Sequence, residues 1–266
     1  MTGNYAHRNG VVTVEKYETD QELASAIQDT PVEELNAWTP EEMLRWAYTT
    51  YSARAGIMTS FQETGSVLID MASRVAPELR VITIDTLRLP IETYELIQKI
   101  ETRYGLTIER FEPDPERLRR MIEDHGEYLF FDSKAKQEYC CSIRKVEPNQ
   151  RALATLDVWI TGLRKNQSAG RSTTPKASII RQDGRMLLRL CPLADWSDEH
   201  VWGYLRRFNV PTNALYEKGY TSIGCSICST PTLDHEDKRA GRWRWFNSLG
   251  GAINKECGIH TKGSGI

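Results

Sequence analysis

Residues 56–76 read GIMTSFQETGSVLIDMASRVA, and this stretch decides the fold class. The apolar run over residues 56–61 predicts a buried strand, the polar residues 62–65 predict a loop, and the apolar run over residues 66–76 predicts a helix. A strand that passes through a short polar loop into a helix is the repeating unit of α/β folds. The loop also offers hydroxyls and a helix N-terminus to an anion, although it lacks the Gly-Lys-Ser/Thr ending of a Walker A loop.

The same alternation continues along the chain. Further strands are predicted at residues 80–86, 106–112, 159–163 and 186–190, and further helices at residues 90–104, 114–125 and 197–208. This spacing predicts an α/β fold with a mostly parallel sheet and helices on both faces, which binds ligands beyond the carboxyl ends of its strands. The polar segment 166–178 predicts a mobile loop.

Helix-start signals near the N-terminus and the lack of an internal linker predict the domain organisation. Thr30-Pro31 and Thr39-Pro40 each place a threonine cap before a proline, which predicts two helix starts within an N-terminal helical part, residues 1–50. No internal repeat or linker interrupts the 266 residues. We therefore predict one domain over residues 1–249 and a flexible C-terminal tail over residues 250–266.

Composition excludes several classes of protein. The net charge of −2 argues against a generally basic protein that coats nucleic acid, so an anion site must be built locally. No apolar run is long enough to span a membrane, and the polar residues 1–10 do not resemble a signal peptide. A cytoplasmic location is expected, and in that reducing compartment paired cysteines are more often metal ligands or redox groups than disulfides.

Five of the six cysteines form a pattern that a packed core does not require. They are Cys140 and Cys141, which are adjacent, the pair Cys225 and Cys228, and Cys257 near the C-terminus. The first four can offer thiolates to an iron–sulfur cluster or to zinc, and the adjacent pair can equally be two buried apolar residues. Neighbouring side chains diverge, which suits a cluster with several iron atoms better than one small ion. The fifth cysteine is left as a candidate nucleophile.

Basic residues provide candidate anion contacts. Gly162 and Arg164 follow a predicted strand, and Arg171 lies in the polar segment after it. Arg239 and Arg242 lie upstream of Cys257, where positive charge lowers the pKa of a thiol. Taken singly, each arginine is better explained as a solvated surface charge. His260, three residues after Cys257, is a candidate acid–base group, and by itself it is equally an exposed tail residue.

Together, the motifs resemble one family, the reductive sulfonucleotide reductases that act on adenylyl sulfate (APS) or phosphoadenylyl sulfate (PAPS). Eight collinear motifs carry the resemblance: Ser60-Phe61-Gln62, Ile84-Asp85-Thr86, Cys140-Cys141-Ser-Ile-Arg144-Lys145-Val-Glu-Pro, Trp159-Ile-Thr-Gly162-Leu-Arg164, Pro192-Leu-Ala-Asp195-Trp196-Ser, Ser222-Ile-Gly-Cys225-Ser-Ile-Cys228, Arg239-Ala-Gly-Arg242-Trp243 and Glu256-Cys257-Gly-Ile-His260.

The resemblance implies a fold like that of the adenine-nucleotide alpha-hydrolases and an assimilatory, thioredoxin-dependent reaction. In it Cys257 attacks the sulfur of APS, AMP leaves, and thioredoxin or a glutaredoxin-like protein releases sulfite from the S-sulfocysteine. Cys140, Cys141, Cys225 and Cys228 are implied to hold a [4Fe–4S] cluster, and this four-cysteine form usually prefers APS. PAPS reduction, or activity on both nucleotides, is the alternative.

The resemblance also implies roles for individual residues. The implied catalytic residues are Cys257, His260, Arg239, Arg242 and Lys145. The implied substrate-binding residues are Ser60, Phe61, Gln62, Asp85, Thr86, Gly162, Arg164 and Arg171. A nonredox role in ordering the site is expected for the cluster.

Two departures concern substrate binding: Leu87 stands where the family usually has glycine, and Gly250-Gly251 lengthens the spacer before the tail. Other classes remain open, namely a tRNA thiolase on the same scaffold, whose pyrophosphatase loop is missing here, and a nonenzymatic iron–sulfur protein. The oligomeric state is also open, a homo-oligomer included.

Overall fold

The computed structural model of the chain describes residues 30–167 and 169–247, together with the backbone of the two-residue strands β1 (His7–Arg8) and β2 (Val11–Val12). The predicted tail over residues 250–266 lies outside the described residues. Of the predicted helical part, residues 30–50 and the backbone of the strands β1 and β2 are described. The division into domain and tail therefore stays a prediction.

A six-stranded, mostly parallel sheet forms the centre of the molecule. Its strands are β3 (Ala55–Met58), β4 (Arg80–Ile84), β5 (Ile108–Phe111), β6 (Val158–Thr161), β7 (Ala177–Gln182) and β8 (Arg185–Leu190). They lie in the order β5-β4-β3-β6-β8-β7, and every neighbouring pair is parallel except β7 with β8. The predicted fold class is confirmed.

Helices cover both faces of this sheet. They are α1 (Val32–Leu35), α2 (Pro40–Tyr51), α3 (Glu63–Val75), α4 (Ile91–Tyr104), α5 (Pro115–His125), α6 (Lys134–Cys141), α7 (Glu147–Ala154), α8 (Asp198–Arg207) and α9 (Arg244–Asn247). A π-helical segment, Ser142–Val146, joins α6 to α7. Along β3, Ile57 packs with α2, α3 and α8, and the next residue, Met58, packs with α7 on the opposite face. This alternation follows from the two-residue period of a strand.

The start of α2 matches its sequence signal, and the start of α1 does not. The Thr39 hydroxyl accepts from the Glu42 backbone N–H at 3.3 Å, and the Thr39 N–H donates to the Glu42 carboxylate at 2.7 Å, which forms a capping box. The predicted threonine cap of α1 is wrong, because Pro31 occupies that position and makes no side-chain cap. The Thr30 hydroxyl instead lies 3.3 Å from that of Tyr51.

Helix α3 begins three residues earlier than predicted. The residues predicted as a loop, 62–65, form its cap and first turn, with Gln62 at the cap position. Thr64, Gly65 and Ser66 are all buried. These polar residues face the interior beside a ligand-sized cavity, and this explains why a loop was predicted from their composition.

The antiparallel edge strand β7 was not predicted. It pairs with β8 through a two-residue turn at Asp183 and Gly184, which have φ of 49° and 83°. Two left-handed residues in succession characterise the hairpin turn that Asp-Gly favours. The predicted loop over residues 166–178 is therefore shorter than expected at its C-terminal end. Across the described residues, no helix combines the length and apolar character needed to cross a bilayer.

Candidate functional site

The main cavity opens beyond the carboxyl ends of β3, β4 and β6, where ligands bind in parallel α/β sheets. Its volume is about 1180 Å³ including the open mouth. Seven of the predicted site residues line it: Ser60, Gln62, Lys145, Gly162, Arg171, Arg239 and Arg242. Apolar and aromatic side chains from the strands, Met58, Ile82 and Trp159 among them, form its floor.

The charge on the cavity wall has one sign. Four described lining residues are basic, and none of the described lining residues is acidic. Arg171 and Arg242 are 6% and 5% exposed, so their guanidinium groups are held within the protein. Such a wall suits a ligand that carries more than one negative charge.

Phe61 anchors the turn after β3 in the hydrophobic core. This residue has φ of 56°, and its side chain is fully buried with Ile69 and Leu96, so it anchors the turn and does not line the cavity. Gln62 donates to the Ser60 hydroxyl at 3.1 Å and accepts from the Ile223 N–H at 3.1 Å. The turn is thereby tied to the segment that precedes Cys225.

Gly162 permits a close approach between β6 and α3. A Cβ atom on this residue would lie 2.4 Å from the Thr64 hydroxyl oxygen, closer than real contacts allow. Gln167, which sequence reasoning missed, then organises the following loop. It donates to the Gly162 carbonyl at 3.4 Å and accepts from Arg171 Nη1 at 2.6 Å and from the Arg164 N–H at 3.2 Å. Its position four residues after the end of the predicted strand 159–163 was the available signal.

Arg164 does not line the cavity. Its guanidinium group is 3% exposed and forms ion pairs with Asp198 at 2.7 Å and Glu63 at 3.3 Å. Glu63 also accepts from the Tyr216 hydroxyl at 2.5 Å. Burial and the Glu63 carboxylate raise the pKa of Tyr216 well above its usual value, so this hydroxyl stays protonated and donates. Arg164 thus joins the first turn of α3 to α8.

Asp85 and Thr86 also lie outside the wall of the main cavity. The Asp85 carboxylate accepts from the Tyr94 hydroxyl at 2.7 Å and from the Leu87 N–H at 2.8 Å, which stabilises the turn. Leu87, at the family's glycine position, has φ of 57°. The Thr86 carbonyl accepts from Arg144 at 2.9 Å, and its hydroxyl accepts from the Cys225 thiol at 3.2 Å. Thr86 therefore connects the end of β4 to the cysteine region, and Asp85 fixes the turn beside it.

A second cavity contains all four cysteines that were predicted to bind metal. Cys140, Cys141, Cys225 and Cys228 line about 340 Å³, together with Arg88, Arg144 and Lys145. The five described cysteines are free thiols. Within residues 30–167 and 169–247, no three histidine, cysteine, aspartate or glutamate side chains are arranged around a single metal-ion position.

Two of the four thiols in the cysteine cavity, Cys140 and Cys228, are buried, and cations flank the cavity. Burial raises the pKa of the Cys140 thiol, and the Arg144 guanidinium opposes that shift. Burial also raises the pKa of Cys228 to about 12. Burial favours the neutral thiols, whereas Arg88 and Arg144 near Cys140 and Lys145 near Cys228 favour the negatively charged thiolates that bind metal.

The π-helical segment connects the two cavities. Cys140 and Cys141 end α6, and the π turn that follows carries Lys145, which lines both cavities. π turns inside helices are frequent at functional sites. Because Lys145 lines both cavities, its charge connects the cysteine cavity electrostatically to the main cavity.

The loop with Arg239 and Arg242 is attached to the second cysteine pair through backbone contacts. Ser229 and Arg242 form an antiparallel β-bridge, and the Trp243 N–H donates to the Cys228 carbonyl at 3.3 Å. The Thr230 N–H donates to the Gly241 carbonyl at 3.0 Å. The arginines that face the ligand cavity therefore share a backbone unit with the cysteines.

The phosphoadenosine phosphosulfate reductase domain model matches residues 54–231. The chain belongs to this reductase family. An adenosine 5′-phosphosulfate reductase of Allochromatium vinosum is 41% identical over 204 residues, which cover 77% of each chain. Adenosine 5′-phosphosulfate reductase 2 of Bacillus subtilis is 35% identical over 241 residues, or 90% of this chain and 94% of the relative.

A solved relative supports the same fold. The phosphoadenylyl-sulfate reductase of Candida auris, crystallised as a phosphate complex, has a TM-score of 0.63 and 28% identity to this chain, and the match covers 83% of this chain and 100% of that one.

The described motif residues lie near the carboxyl edge of the sheet, in two connected groups. One group faces the main cavity and the other surrounds the four cysteines. Four predicted substrate-binding residues line neither cavity and pack next to these groups: Phe61, Asp85, Thr86 and Arg164. Their contact with substrate stays a prediction. Cys257 and His260 lie outside the described residues, so their roles also stay predictions.

Proposed function

We propose that this protein reduces adenylyl sulfate to sulfite and AMP, with Cys257 as nucleophile and thioredoxin as the reductant. The main cavity carries the proposal, because the described residues that line it at the carboxyl edge of the sheet include four basic residues and no acidic ones. APS joins an adenosine to two adjacent anionic groups. Apolar strand residues suit the nucleoside, and the cations suit the phosphate and the sulfate.

In the first step the Cys257 thiolate attacks the sulfur atom of the sulfate. An S–S bond forms, the bond from sulfur to the bridging oxygen breaks, and AMP leaves with that oxygen and its electron pair. Arg239, Arg242 and Lys145 offset the charge that develops on the transferred and leaving oxygens. In the second step a thioredoxin thiolate attacks Cys257 Sγ, sulfite departs, and the second thioredoxin thiol resolves the mixed disulfide, so thioredoxin supplies both electrons.

The donor set around the cysteine cavity fits a [4Fe–4S] cluster. Four thiols line one cavity with Arg88, Arg144 and Lys145 beside them, and two of the four come from adjacent residues whose side chains diverge. A zinc ion needs four ligands around one point, whereas a cluster binds each cysteine at a separate iron. When bound, the cluster supplies fixed negative charge and rigidity beside Lys145. The four-cysteine set, through the resemblance, also favours APS over PAPS.

Removing one ligand tests the cluster. We expect Cys228→Ser, purified without oxygen, to lose most of its iron, its acid-labile sulfide and its visible absorption, because serine is a poor ligand for a cluster. Cys191→Ser is the matched control, since Cys191 is buried away from both cavities and its iron content should not change. Iron at the wild-type level in Cys228→Ser, or stoichiometric zinc in the wild-type protein, would contradict the cluster.

A single-turnover experiment tests the reaction. Wild-type protein mixed with APS in the absence of reductant should release one equivalent of AMP and gain the mass of one SO₃ group on the peptide that contains Cys257. Adding thioredoxin should then release sulfite and restore the original mass. An unmodified Cys257 peptide, or an adduct on another cysteine, would overturn the proposed function.

PAPS is the second candidate substrate, favoured by the likeness to a solved phosphoadenylyl-sulfate reductase. The same single-turnover experiment with PAPS in place of APS separates the two. Adduct formation that is much faster with APS supports the assignment, and faster formation with PAPS would replace it.

A further inference from the structure

Gly224 packs directly against the guanidinium group of Arg242. A Cβ atom built on Gly224 would lie 2.2 Å from Arg242 Nη2, 2.3 Å from Nη1 and 2.4 Å from Cζ. Real contacts of a Cβ atom are essentially never shorter than 3.0 Å, so any other residue at this position must displace the guanidinium. The planar group therefore rests on the backbone of a residue that has no side chain.

The surroundings leave Arg242 little room to adapt. Arg242 is 5% exposed, and its guanidinium carbon lies 5.2 Å from the centre of the Trp243 ring. The backbone on both sides of the contact is fixed. The Gly224 N–H donates to the Ser229 hydroxyl at 2.9 Å, and Ser229 forms the β-bridge with Arg242.

Gly224 also connects two parts of the site. It lines the main cavity beside Arg242, and it directly precedes Cys225, which lines the cysteine cavity. A shift of the cysteine loop therefore shifts the surface on which the guanidinium rests. No other described glycine has a built Cβ this close to a cation that lines the main cavity.

We propose that Gly224 is a positioning residue that holds the Arg242 guanidinium against the anionic groups of the sulfonucleotide. This inference rests on the proposed function and adds a packing route from the cysteines to the substrate.

The test is a double-mutant cycle of Gly224→Ala and Arg242→Ala, with the dissociation constant of AMP and kcat/KM for APS as readouts. Gly224→Ala should lower kcat/KM about 10–100-fold, because a charge-assisted hydrogen bond contributes about 1.5–3 kcal/mol and each 1.4 kcal/mol is a factor of ten. In the Arg242→Ala background the added methyl group meets no guanidinium, so Gly224→Ala should have little further effect.

A matched control and the cofactor complete the test. Gly203→Ala adds the same methyl group in α8, where a Cβ meets nothing within 4 Å, and should leave both readouts unchanged. Iron content should be at the wild-type level in all variants. A Gly224→Ala variant that does not fold should be rescued by Arg242→Ala, because the double variant lacks the clash.

The outcomes separate the two proposals. Additive losses in the cycle, unchanged affinity in Gly224→Ala, or a double variant that also fails to fold would overturn the role of Gly224. Wild-type protein that binds neither AMP nor APS would overturn the proposed function, and this inference with it.

Discussion

Replacing Cys257 with serine should abolish sulfite release, with a fall in turnover of at least about 10³-fold. A serine hydroxyl is a far weaker nucleophile than a thiolate, and a sulfate ester on serine offers thioredoxin no sulfur–sulfur bond to attack. The measurement is sulfite production from APS with saturating thioredoxin. Binding of AMP should not change, because the described residues that line the main cavity all lie between Met58 and Arg242.

Two controls make this prediction specific. Cys191→Ser should keep wild-type turnover, since the Cys191 thiol is fully buried and burial raises its pKa to about 12, which makes it a poor nucleophile. Iron content in Cys257→Ser should equal that of the wild type. Sulfite release at the wild-type rate in Cys257→Ser would remove this cysteine from the mechanism.

The largest expected effect on stability comes from Asp157→Ala, which should lower the free energy of unfolding by about 2–4 kcal/mol. The Asp157 side chain is 1% exposed and accepts from Arg54 Nε at 2.7 Å, from Arg54 Nη2 and from Arg185 Nη2. These three residues stand at the amino-terminal ends of β3, β6 and β8, so one carboxylate ties three neighbouring strands. The expected loss is below that of a fully buried pair, because both arginines are partly exposed and regain water.

Urea unfolding measures this effect, and two further variants calibrate it. Asp157→Asn keeps part of the hydrogen bonding and should lose less than Asp157→Ala. Asp132→Ala breaks an exposed pair with Lys136 and should change stability by no more than about 0.5 kcal/mol. Equal losses of stability in Asp157→Ala and Asp132→Ala would contradict the role assigned to the ion pairs of Asp157 with Arg54 and Arg185.

The strand and helix alternation of the sheet could be predicted because its central strands are apolar on both faces. The edge strand β7 was missed, since its exposed face makes it polar, although Asp183-Gly184 did carry a hairpin signal. The start of α3 was misplaced for a related reason. Gln62, Thr64 and Gly65 line the main cavity, and composition does not distinguish a polar cavity wall from a loop.

The site was predictable as a set of motifs more than as a set of contacts. An arginine that faces a ligand and one that forms a buried ion pair have the same appearance in a sequence. Arg242 lines the cavity, whereas Arg164 is paired with Glu63 and Asp198, which lie far away along the chain. Gln167 escaped notice because its importance comes from three hydrogen bonds that only the folded loop brings together.

The π-helical segment Ser142–Val146 has a consequence for how this region tolerates change in length. Each residue of an α-helix turns the chain by about 100°, and a π turn absorbs one residue more than an α turn. The extra residue therefore lets Cys140 and Cys141 line the cysteine cavity while Ala152 and Leu153, in the next helix α7, still pack against the sheet. Deleting a single residue between 142 and 146 would convert this segment to a regular α-helix. Cys140 and Cys141 would then be rotated about the helix axis relative to the rest of the protein.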